Sequence, residues 1–177
     1  MSMPDSDAFL LPRLRVMRIV VLALVLGVVA FLVLALIIRA QGGLAAPPTP
    51  FLTYLALGFG GLQIGVSLLF PRFVVTQSRR QLARGQYPAT AETSAQAPDD
   101  LTSLCNVFQT QLIIAAALLE GAAFFLLIAY LQEGEVAALG GVAVLLALLL
   151  VKFPTRPALE SWLTEQQELL NQERSLL

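Results

Sequence analysis

The chain has 177 residues, 57% of them hydrophobic and 13% charged, with a formal net charge of −1. Its mean hydropathy is +0.77, whereas a soluble domain is about 45–50% apolar and about 25% charged, so the composition suits a bilayer and the charge excludes a basic nucleic-acid footprint. With no His and a single Cys, Cys105, the chain cannot carry His acid–base catalysis, a Cys/His zinc site or an intramolecular disulfide.

A bilayer core about 30 Å thick needs about 20 apolar helical residues. Val16 to Ile38 supplies 23, with Arg18 at its flank, and predicts the first span. The basic flank, the apolar run and the small residues Gly43-Leu44-Ala45 mimic a cleavable signal peptide, but the run is too long for one and predicts an uncleaved anchor. The breakers Pro47, Pro48 and Pro50 precede a second span, Phe51 to Phe70, and Pro71-Arg72 follows it.

Beyond Pro71, FVVTQSRRQLARG predicts a helical extension whose Arg residues suit a helix C-terminus, with Gly85 as the stop. Residues 86–98 are small, polar and Pro-containing and predict a flexible loop. Asp99 or Asp100 is placed to cap the next helix, which continues into a third span, Leu112 to Leu131. Only Gln132 to Glu135 separate it from a fourth, Val136 to Val151. At 1.5 Å per residue that last span reaches roughly 24 Å, so it must stand nearly upright.

Lys and Arg cluster before the first span (Arg13, Arg15, Arg18), after the second (Arg72, Arg79, Arg80, Arg84) and after the fourth (Lys152, Arg156). By the positive-inside rule both termini are cytoplasmic, in the plasma (inner) membrane of a bacterium. The seven Arg residues flanking the first two spans are expected to anchor the protein to lipid headgroups, their stems snorkelling along the bilayer edge. After Lys152, Thr155 and Pro157 suit a helix start at about 157. Trp162/Leu169/Leu176 and Leu163/Leu170/Leu177 form two adjacent columns seven residues apart, an amphipathic stripe that needs a partner surface. Its acidic polar face disfavours anionic lipid and favours protein: either a second copy or the chain's own cytoplasmic helices. The fold class is therefore all-α, a four-helix membrane bundle with a cytoplasmic hairpin over residues 71–111 and a C-terminal amphipathic helix.

Glu120, near the centre of the third span, is the residue that demands an explanation. A charged carboxylate there costs at least about 2.5–3.5 kcal/mol on insertion scales, so it is either a protonated hydrogen-bonding link between helices or an ion-binding group. Gln63 is the other strongly polar side chain deep in a span, and helix lengths put the two nearly level in an antiparallel hairpin. Small residues predict a close approach of those helices: Gly58, Gly61 and Gly65 on one, Ala117 and Gly121 on the other.

GFGGLQIG from Gly58 to Gly65, leading through a basic loop into IIAAALLEGAAFFLLIAYL from Ile113 to Leu131, resembles the helical hairpin of rotary ATP synthase proteolipids (subunit c). The resemblance implies a homo-oligomeric ring in which Glu120 binds the translocated ion and Gln63 assists it. Gly121, Ala122 and Ala123 stand where sodium-binding members carry hydroxyls, which implies a proton. This chain departs from the pattern in its longer loop and in the absence of a matching glycine ladder in the first span. Two functions are therefore expected. The first is a structural or accessory membrane protein acting by helix association, as a homo-oligomer or with a membrane-protein partner; the alternative is a proteolipid-like proton or ion binder. Neither needs a cofactor or metal, and no nucleophile–base pair or phosphate loop marks an enzyme.

Overall fold

The computed structural model describes residues 4–42, 49–83 and 100–175, and these are all-helical with no strand among them. In chain order the helices are α1 (Pro4–Ala40), α2 (Phe51–Ala83), α3 (Asp100–Glu133), α4 (Val136–Val151) and α5 (Arg156–Ser175). Stretches in three of them are long and apolar enough to cross a membrane: Leu10–Ala40, Phe51–Leu69 and Thr102–Glu133. The 16 residues of α4 qualify as a fourth only together with α5, from which α4 is bent by 68°. The expected loop at 86–98, the stop at Gly85, and the segment Gly43-Leu44-Ala45 lie outside the described residues, as do Arg84, Leu176 and Leu177.

α1 to α4 run alternately up and down, and contacts at their ends fix the directions. At one end, here the basic end, Arg13 donates to the Thr102 carbonyl and Asn106, Arg18 to the Pro154 carbonyl, and Lys152 to the Ser67 carbonyl. At the other, the turn end, the Leu52 and Thr53 N–H groups of α2 donate to the two carboxylate oxygens of Glu133, at 2.6 and 2.7 Å. Glu133, the last residue of α3, thus serves as a bidentate cap for a neighbouring helix, satisfying two N–H groups that have no partner within α2. The chain turns from α3 to α4 at Gly134, whose φ of 74° is a conformation glycine adopts without strain. A β-carbon there would also coincide with the guanidinium of Arg39, so this turn closes against the end of α1.

α3 is the central helix, packed against α1, α2 and α4. Each helix buries a narrow seam: Leu10, Leu14, Met17, Val21, Val28 and Ala35 on α1, and Ala138, Val142, Leu145 and Leu149 on α4. These spacings of three, four and seven are those of helices packed with small crossing angles. The rest of the apolar surface faces outward; Leu22, Leu26, Val33 and Ile37 on α1 are exposed, a continuous apolar face of the kind that meets lipid or a protein partner.

A separate apolar cluster forms at the basic end. Leu159, Leu163 and Leu170 of α5 pack with Leu10, Leu14, Leu104 and Cys105, and Phe108 and Trp162 close over them with ring centroids 5.1 Å apart. The amphipathic stripe therefore finds its cover within the chain, on the starts of α1 and α3, while α5 also packs along α2. Of the two expected columns, Leu163 and Leu170 are fully buried while Trp162 and Leu169 lie at the flank.

Candidate functional site

α1 and α3 run parallel in one register over most of the assembly. Arg13 bonds Asn106, Gly27 faces Glu120, and Phe31 meets Phe124 edge-on with centroids 5.4 Å apart; each pair is separated by 93 residues. A β-carbon on Gly27 would lie 3.4 Å from Glu120 Oε1 and 3.8 Å from the Phe124 ring. Gly27 thus makes room on α1 for the half-buried carboxyl of α3.

Gln63 is placed differently. α2 runs antiparallel to α3, with Phe59 against Phe125 at 5.6 Å and Gly60 beside Leu126, and this register puts Gln63 nearly level with Glu120, as the helix lengths predict. The two residues nevertheless face different helices. At 100° per residue Glu120 points about 120–140° away from Phe125 and Leu126, the residues that meet α2. Among the described residues no hydrogen bond joins Glu120 to Gln63, nor Glu120 to any other group.

The glycines also divide differently from the expectation. A β-carbon at Gly58, Gly61, Gly65 or Gly121 would meet nothing within 4 Å, and Ala117 and Gly121 are exposed. Among the described glycines inside helices, those that admit neighbours are Gly27, Gly60 and Gly141. At Gly141 a β-carbon would stand 2.8 Å from Leu126 and 3.0 Å from Leu57, so α4 meets both α2 and α3 through that position. No resemblance pointed to Gly141; the only sequence signal is a Gly-Gly pair inside a helix otherwise made of Ala, Val and Leu.

The outward face of α2 has a definite shape. Gly58, Gly61 and Gly65 form a shallow groove flanked by Leu55, Leu62 and Leu69, which repeat every seven residues and are 50%, 64% and 68% exposed. This ridge and groove lie opposite the buried seam of Thr53, Ala56, Gly60 and Ser67.

Of the expected headgroup anchors, Arg13, Arg15 and Arg18 stand at the basic end of α1. Arg72, Arg79 and Arg80 belong to α2, but their side chains lie outside what is described, and Arg84 lies outside the described residues altogether. Lys152 caps the C-terminus of α4, and its burial pushes the ammonium below the ordinary Lys range. Among the described residues no three His, Cys, Asp or Glu side chains are grouped to hold a metal ion. Comparison with family models, with curated proteins and with solved structures finds no match.

Proposed function

We propose that the chain is a small multi-pass integral membrane protein of structural or accessory type that acts by helix association, and that its partner is a second copy. The observation that carries this reading is the outward ridge and groove of α2. Without a hydrophobic driving force inside lipid, helices associate where small residues let backbones approach. Here the Gly58/Gly61/Gly65 groove is not consumed by packing among the described residues, and the Leu55/Leu62/Leu69 ridge beside it is self-complementary: under two-fold symmetry each ridge enters the other copy's groove. The reading includes four membrane crossings with both termini in the cytoplasm of a bacterium, supported by the gathering of Arg13, Arg15, Arg18, Lys152 and Arg156 at one end. Energy transfer between donor- and acceptor-labelled copies in dilute vesicles tests it. Wild-type protein is expected to transfer well above the random-mixing level and Gly61→Ile/Gly65→Ile near it; equal transfer overturns the proposal.

A second reading is favoured by one observation: among the described residues no hydrogen bond engages the Glu120 carboxyl, which leaves it available to take up and release a proton. A half-buried carboxyl lodged between α1 and α3 at the middle of the spans suits reversible protonation, the role that the proteolipid resemblance implies for it. Hydrophobic carbodiimide modifies protonated membrane carboxyls. Selective adduct formation at Glu120 that fades as pH rises supports proton binding, and absence of an adduct at every pH contradicts it.

A further inference from the structure

The elbow between α4 and α5 opens beside α1 as a cleft of about 770 Å³. Its lining includes Arg15, Arg18 and Arg156 together with Phe153, Ile19 and Leu22, and no acidic residue. Two of the three cations are held in place. Arg18 donates Nε to the Pro154 carbonyl at 3.1 Å and lies 6.0 Å from the centroid of the Phe153 ring; Arg156 donates Nε to Glu160 at 2.6 Å. Arg15 is exposed.

The polar part of this cleft is an anion cup, because guanidinium groups match phosphate oxygens in charge and geometry. The start of α5 at Arg156 adds the positive end of a 20-residue helix. What separates this cup from a site for soluble phosphate is its floor. Ile19 and Leu22 are exposed apolar residues, and they continue along the outward face of α1 through Leu26, Val29 and Val33. A headgroup in the cup therefore has an apolar track for its acyl chains running toward the middle of the span.

We propose that this cleft binds an anionic glycerophospholipid, with its phosphate among Arg15, Arg18 and Arg156 and its chains along Ile19 and Leu22. The proposal rests on the membrane reading above. It assigns the elbow a purpose: Phe153 and Pro154 bend the chain so that Arg156 faces the arginines of α1.

The full chain, reconstituted in vesicles of equal phosphatidylcholine and phosphatidylglycerol, is floated on a density gradient, and the lipid retained after gentle extraction is counted by native mass spectrometry. Phosphatidylglycerol is expected to be retained more than about tenfold over phosphatidylcholine. Arg15→Gln, whose exposed side chain is not needed for packing, is expected to reduce that preference about fivefold. Arg15→Gln/Arg18→Gln/Arg156→Gln is expected to abolish it, while Arg39→Gln at the turn end leaves it intact. Equal retention of the two lipids, a preference unaffected by Arg15→Gln, or displacement of the lipid by millimolar inorganic phosphate overturns the proposal. Failure to float overturns the membrane reading with it, whereas flotation without lipid preference overturns the lipid site alone.

Discussion

Glu120 of α3 faces Gly27 of α1 across a gap that one methyl group would close to 3.4 Å. The carboxyl and the glycine are thus a steric pair that fixes the register of the third helix against the first at this depth.

That pairing predicts a graded response to side-chain volume at position 27. Gly27→Ala brings a β-carbon to ordinary contact distance and is expected to be nearly neutral, since the reduced freedom of the unfolded chain offsets the tighter fit. Gly27→Leu overpacks the interface and is expected to cost about 1–3 kcal/mol. Combining it with Glu120→Ala should recover part of that loss, and a double-mutant cycle on thermal unfolding in detergent measures the coupling. Additive effects would place the two residues out of contact.

Much of this arrangement is legible in the sequence. The short link Gln132 to Glu135 marks the turn between α3 and α4, and the seven-residue spacing of Leu163 and Leu170 picks out the face of α5 that is buried. The level of Glu120 and Gln63 also follows from counting residues. The direction in which Glu120 points does not. α3 is apolar on nearly every side, so no polar face tells which flank meets α1 and which meets α2. The same limit applies to the glycine run on α2: Gly60 and Gly61 differ by one residue, and the 100° between them sends one against Leu126 and the other outward. Only the positions of Leu126 and Leu145 beside Gly60 decide which.

The docking of α5 is open to a spectroscopic test because Trp162 is the chain's single Trp and packs against Phe108. Leu163→Ala removes a buried side chain from that cluster and is expected to cost about 2–5 kcal/mol. Leu170→Glu is expected to release the helix, shifting Trp162 emission to the red and raising its accessibility to an aqueous quencher. Unchanged emission would mean that α5 is held by other contacts.

The capping of α2 by Glu133 predicts an order of stabilities. Glu133→Ala leaves the Leu52 and Thr53 N–H groups without their acceptor, whereas Glu133→Gln keeps one oxygen in place. The thermal midpoint should therefore fall from wild type through Gln to Ala, with protease sensitivity rising first at the start of α2. Equal midpoints for Gln and Ala would show that the carboxylate charge, rather than the hydrogen-bonding geometry, carries the effect.

Lys152 gives a pH dependence of defined sign. Its folded-state value is lowered by burial, so between that value and about 10.4 the folded chain holds fewer protons than the unfolded chain and stability rises with pH. Below the lowered value the unfavourable contribution is constant; above about 10.4 it is gone. The midpoint of Lys152→Met is therefore expected to exceed wild type at neutral pH and to converge on it through the alkaline range. A gap that widens with pH would contradict the assignment.

The central claim, association through the outward face of α2, is tested most directly by disulfide cross-linking in native membranes. In a Cys105→Ala background, single cysteines replace Leu55, Leu62 and Leu69 on the α2 ridge, or Leu22, Leu26 and Val29 on the equally apolar outward face of α1. Oxidation is expected to give strong dimers from the three α2 positions, weakened by Gly61→Ile, and only background from α1. Dimers of equal yield from both helices, or from α1 alone, would contradict the account.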